Sequence, residues 1–198
     1  YYVAAGGMRR DKKKLVLASR KEIKIFDFET LRELATLHGH AEQITSLRFK
    51  GSDANTVVSA DRQKIITWDL QEEDIENVVE LKGGDSYTQV FDLNRSCSQV
   101  VSYGSKRKYT GHVIESWLNV IEVESGQTIR EIGRSEGAIA SAAFIPNTSY
   151  VAIGYEKGAI KICDTETGEF PKTRYVPESG AVKKIKASPA APVMLSWA

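Results

Sequence analysis

Apolar and polar residues fall in short alternating runs along this chain, and Gly, Asp, Asn and Ser clusters separate the runs. Ile44-Thr45-Ser46-Leu47-Arg48-Phe49 is one run, and Thr56-Val57-Val58-Ser59-Ala60 and Lys64-Ile65-Ile66-Thr67-Trp68 follow it. Runs of this length, rich in Val, Ile, Thr and Tyr and set off by turn residues, predict β-strands. No window holds an apolar stripe at helical spacing for more than two turns, so almost no helix is predicted. The stretch from Phe26 to Glu33 comes nearest, and it reads as strand, turn and strand.

The runs repeat. Phe26-Asp27, Trp68-Asp69, Ile121-Glu122 and Cys163-Asp164 stand at matching places, spaced by 42, 53 and 42 residues. A turn and an outer strand are predicted after each, at 30–34, 75–79, 126–131 and 168–171. The innermost strands carry apolar residues at positions one, four and six: Ile44, Leu47, Phe49; Ile139, Ala142, Phe144; Val182, Ile185, Ala187. The third unit keeps Tyr87 and Val90 but places Asp92 where Phe is expected. Pro146 and Pro189 follow the inner strands at equal offsets, where a residue without an N–H ends pairing. The long spacing holds an excess of about 11 residues over the usual period, assigned to an inserted loop from Ser105 to Glu115.

One unit opens on Gly39-His40 and closes on Trp68-Asp69. With the period, these residues resemble a repeat of the WD-repeat family. The resemblance implies an all-β fold, a β-propeller built of four-stranded antiparallel blades. Blades are then expected at 1–35, 36–80, 81–132 and 133–175, with a partial one at 176–198. The last unit stops in its second strand, so the chain is expected to be part of a larger ring of about seven blades. The resemblance also implies a hydrogen-bonded set of His40, Ser59, Asp61 and Trp68. A sheet covered on both faces must give every internal polar group a partner. Gly-His is absent from the matching loops at 82–85, 133–136 and 178–180, so apolar packing is expected to hold those units.

Charge changes the picture little. With 27 basic and 26 acidic residues among 198, the net charge is +1. That excludes a whole-molecule pull toward nucleic acid or anionic lipid. The most apolar run, from Gly137 to Pro146, is about half the length needed to cross a bilayer, so no membrane span is expected. The first residues lack the charged-then-apolar order of a signal peptide. Cys97 and Cys163 show no metal-ligand spacing and read as buried, reduced thiols.

Candidate chemistry is sparse. No nucleophile elbow, phosphate loop or dinucleotide fingerprint occurs, so no catalytic residue, cofactor, metal or small-molecule substrate is expected. His38 and His40 lack a third ligand nearby, and Gly111-His112 falls out of period. Basic runs occur at 8–14, at Lys183, Lys184 and Lys186, and at Lys106-Arg107-Lys108 beside Tyr109. Lys106, Arg107, Lys108 and Tyr109 are the candidate partner-binding residues, because long loops on rigid scaffolds carry function. The reading is a non-catalytic protein-interaction scaffold, one subunit of a multi-subunit intracellular complex, cytoplasmic, nuclear or nucleolar. The alternative is a component of an RNA-containing assembly such as a ribosome-biogenesis particle, its basic loops touching RNA.

Overall fold

A computed structural model describes residues 3–8, 13–50, 55–81, 87–107, 113–135, 138–175, 182, 184–187 and 194–197. Strands make up the regular structure among the described residues. Strands β1 (Val3–Met8), β2 (Lys14–Ser19), β3 (Glu22–Asp27) and β4 (Glu33–His38) form the first sheet, in that order. Strands β5 (Ser46–Phe49), β6 (Thr56–Ala60), β7 (Lys64–Asp69) and β8 (Asp74–Glu80) form the second. The third holds β9 (Tyr87–Leu93), β10 (Gln99–Arg107), β11 (Val113–Glu122) and β12 (Thr128–Ser135). The fourth holds β13 (Ile139–Phe144), β14 (Tyr150–Tyr155), β15 (Ala159–Asp164) and β16 (Lys172–Tyr175), and β17 (Lys184–Ala187) pairs with β18 (Met194–Trp197). All pairings are antiparallel and sequential, as short hairpin connections dictate.

The sheets stand side by side in an arc. The first strand of each lies against the first strand of the next: β1 by β5, β5 by β9, β9 by β13 and β13 by β17. Each hydrophobic cluster is an interface between two neighbouring sheets. Val16, Ala18, Ile23 and Ile25 of the first sheet meet Val57, Ile66 and Trp68 of the second. Val58, Ala60 and Ile65 on the second sheet's other face meet Leu93, Val100 and Ile121 of the third. Val101, Tyr103, Leu118 and Val120 continue to Ile139, Phe144, Val151 and Cys163 of the fourth, and Ala143 and Ala152 continue to Val182 and Ile185. This two-sided burial is why every residue of β6 is buried, Thr56 and Ser59 included, rather than alternating with water. Each such side chain, fully buried, is worth about 1.5–3 kcal/mol.

Three sequence expectations shift. The outer strands after Asp27 and Asp164 begin at Glu33 and Lys172, so 30–32 and 168–171 are connecting segments rather than strand. The excess of the third unit is not an open loop. It lengthens a hairpin, with β10 and β11 running for 9 and 10 residues and pairing as far as Arg107 and Val113. Asp92 does not take the Phe position either. A bulge in β9 sets Val90 opposite Ser102 and Asp92 opposite Val101, so Leu93 faces Val100 as Phe49 faces Val57. The extra residue of the bulge moves the apolar place one position on, and Leu93 fills it with no exposure.

The turn after the third strand is the same in every complete sheet. The residue four past the acid has positive φ: Leu31 (55°), Glu73 (56°), Gly126 (70°) and Gly168 (81°). Only glycine takes that conformation without penalty. Gly126→Ala is therefore expected to lower stability by about 1–2 kcal/mol, more if Val79, packed against it, fails to yield. Leu31→Gly in the equivalent turn is expected to leave stability unchanged or raise it. Urea unfolding of the two variants checks the pair.

Candidate functional site

The polar set of the second sheet forms where it meets the first. Gly39 follows β4 and lets the chain pass over Trp68: a Cβ there would sit 2.9 Å from the indole and 3.2 Å from Ile75. His40 is thereby set beside β6. Its Nε2 is 2.7 Å from Ser59 Oγ and its Nδ1 is 2.8 Å from Asp61 Oδ2. Trp68 Nε1–H donates to Ser59 Oγ at 2.8 Å. Asp61 also closes its own turn, since Oδ1 accepts from the backbone N–H of Gln63 at 2.7 Å and of Lys64 at 2.8 Å. The four side chains named from sequence are all brought together.

Proton positions follow from what each group can do. Burial opposes the Asp61 charge, but the bonds from His40, Gln63 and Lys64 outweigh it and hold the carboxyl down at about 2. An ionised carboxylate only accepts, so His40 Nδ1 carries the proton and Nε2 accepts from the Ser59 hydroxyl. Ser59 then accepts from Trp68, and the chain is satisfied from end to end. Its order is that of a Ser-His-Asp triad, yet Ser59 and Asp61 have no exposed surface. The set links the loop after β4 to β6, to the turn that follows it and to β7.

Register shows what became of this place elsewhere. Ser59 lies two residues past Val57, which faces Trp68. The same offset gives Leu17 in the first sheet, Ser102 in the third and Ile153 in the fourth. Leu17 and Ile153 are apolar. Ser102 keeps the hydroxyl but, among the described residues, has no hydrogen-bond partner while fully buried, and Ser105 shares that state.

Two polar ties were not legible in the motif. Asp92 Oδ1 accepts from Arg48 Nη2 at 3.0 Å, and Oδ2 accepts from the Phe144 N–H at 3.1 Å. One carboxylate thus joins the second, third and fourth sheets near the axis. Burial pushes its pKa up, and Arg48 and the Phe144 N–H oppose that. Arg130 of β12 spreads its guanidinium over the turn of the next sheet, donating to the carbonyls of Thr165 (2.9 Å), Thr167 (3.4 Å) and Glu166. Lys14 reaches the Leu70 carbonyl in the same manner at 3.3 Å.

The basic hairpin rises from the face that carries Gly39 and His40. Loops entering each sheet meet the turns between second and third strands there: Ile44 N–H donates to Arg20, Glu156 N–H to Ala138 and Val182 N–H to Tyr155. β9 pairs with β10 only as far as Ser105, and β12 with β11 only as far as Ser116. Among the described residues the backbone of Lys106 pairs with Glu115 and that of Arg107 with Val113, past the last described pairs of β9 and β12. Lys108 and Tyr109, with Gly111-His112, lie outside the described residues. Cys97 and Cys163 are both buried free thiols. Burial and the adjacent Asp164 push the Cys163 thiol up to about 11, so it stays protonated at neutral pH. No group of three or more His, Cys, Asp or Glu that could hold a metal occurs among the described residues, and no helix there is long and apolar enough to cross a membrane.

The repeated four-stranded sheets and their two-sided burial define a β-propeller fold. No family model matches the chain. It is similar to pre-mRNA-processing factor 19 of Oryza sativa subsp. japonica, 28% identical over 149 residues, covering 72% of this chain and 26% of that protein. The β-propeller domain of Cps50 (Swd1) from Myceliophteria thermophila has the same fold, with a TM-score of 0.66 at 18% identity, covering 96% of this chain and 60% of that one. The chain thus spans only part of each protein it matches.

Substitutions in the set and at Ser102 test it. Trp68→Ala is expected to cost about 3–5 kcal/mol as a large core truncation. Ser59→Ala leaves His40 Nε2 and Trp68 Nε1 unpaired and is expected to cost about 1–3 kcal/mol, whereas Ser102→Ala is expected to cost nothing; equilibrium unfolding reads all three. The Asp61 pKa is depressed on folding, from an ordinary 3.8 to about 2. Its contribution is therefore complete above about pH 4 and lost as pH falls toward 2. Melting temperatures between pH 2 and pH 6 should fall less steeply for Asp61→Asn than for the parent.

Proposed function

We propose that this chain is a non-catalytic protein-interaction scaffold, a β-propeller subunit of a multi-subunit assembly inside the cell, in the cytoplasm or the nucleus. The lengthened hairpin β10–β11 carries this reading. Its strands of 9 and 10 residues are longer than the other described strands, which span 4 to 8. A paired hairpin presents its backbone to a partner at less ordering cost than an open loop. The arm springs from sheets sealed on both sides, so its own sequence is free to vary. Lys106, Arg107, Lys108 and Tyr109 are the residues proposed to touch the partner.

A second reading has its own support. Three successive cations beside an aromatic ring suit RNA, where phosphate is neutralised and a base stacks. The rice relative bears a name in pre-mRNA processing. On this reading the assembly contains RNA and the arm contacts it, as a ribosome-biogenesis particle would also allow.

Replacing residues 106–115 by Asn-Gly closes the hairpin on the Ser105–Ser116 pair with a two-residue turn and leaves every interface intact. The shortened protein is expected to melt with the parent and to lose a partner protein that the parent retains at high salt. Retention of every partner by the shortened form overturns the role of the arm. Under the RNA reading, binding falls steeply with salt, and Ala at 106, 107 and 108 reduces the slope of log affinity against log salt by about 2.

A further inference from the structure

We draw no further inference here: the strongest candidate, the face of the first sheet turned away from the second, where Leu15, Leu17 and Phe26 are half-buried while Val57 and Trp68, at the places matching Leu15 and Phe26, are packed on a neighbouring sheet, carries nothing because nothing in the structure shows what covers it.

Discussion

Everything in this molecule depends on sheets having no exposed face to spare. Each complete sheet from the second onward is apolar on both sides, and the clusters that bury it are shared with its neighbours. Such a sheet alone in water would expose two oily faces, so no unit is stable by itself and stability belongs to the contacts between units. That constraint sets the burial of β6 and β14, in which nearly every residue is enclosed. It also sets the fate of polar groups at those positions. A hydroxyl between two sheets finds a partner, as Ser59 does with His40 and Trp68 and as Ser141 does with the Ile185 N–H, or has none among the described residues, as with Ser102.

The same constraint decides where recognition can occur. Sealed faces leave the ends of strands and the outer edges as the only surfaces that can vary freely. Polar ties between sheets sit at the margins, where Arg130 grips a turn and Asp92 grips two neighbours. None of these disturbs the apolar interfaces, so the scaffold and the surfaces it displays are nearly independent.

The period was legible because it rests on side-chain chemistry that the interfaces impose. Phe26, Trp68, Ile121 and Cys163 differ in size and kind, yet each fills the same apolar place on a third strand. The His40, Ser59, Asp61 and Trp68 set was nameable because one unit retains every member. What sequence hid was geometry that polar residues do not announce. Ser105, Lys106 and Arg107 look like loop residues, but cross-strand pairing with Ser116, Glu115 and Val113 makes them strand. The bulge in β9 could not be seen, because Phe91 and Asp92 fit either of two registers. Arg48 and Asp92 are 44 residues apart and Arg130 and Thr165 are 35 apart, so no local pattern links them.

The Asp92 carboxylate has one more consequence. Interfaces shared only between adjacent sheets would let the arc peel apart one sheet at a time under tension, each step independent of the next but one. A single side chain holding Arg48 on one side and the Phe144 amide on the other removes that independence. It makes the second, third and fourth sheets a mechanical block, whose middle member cannot leave before two bonds of opposite direction have broken.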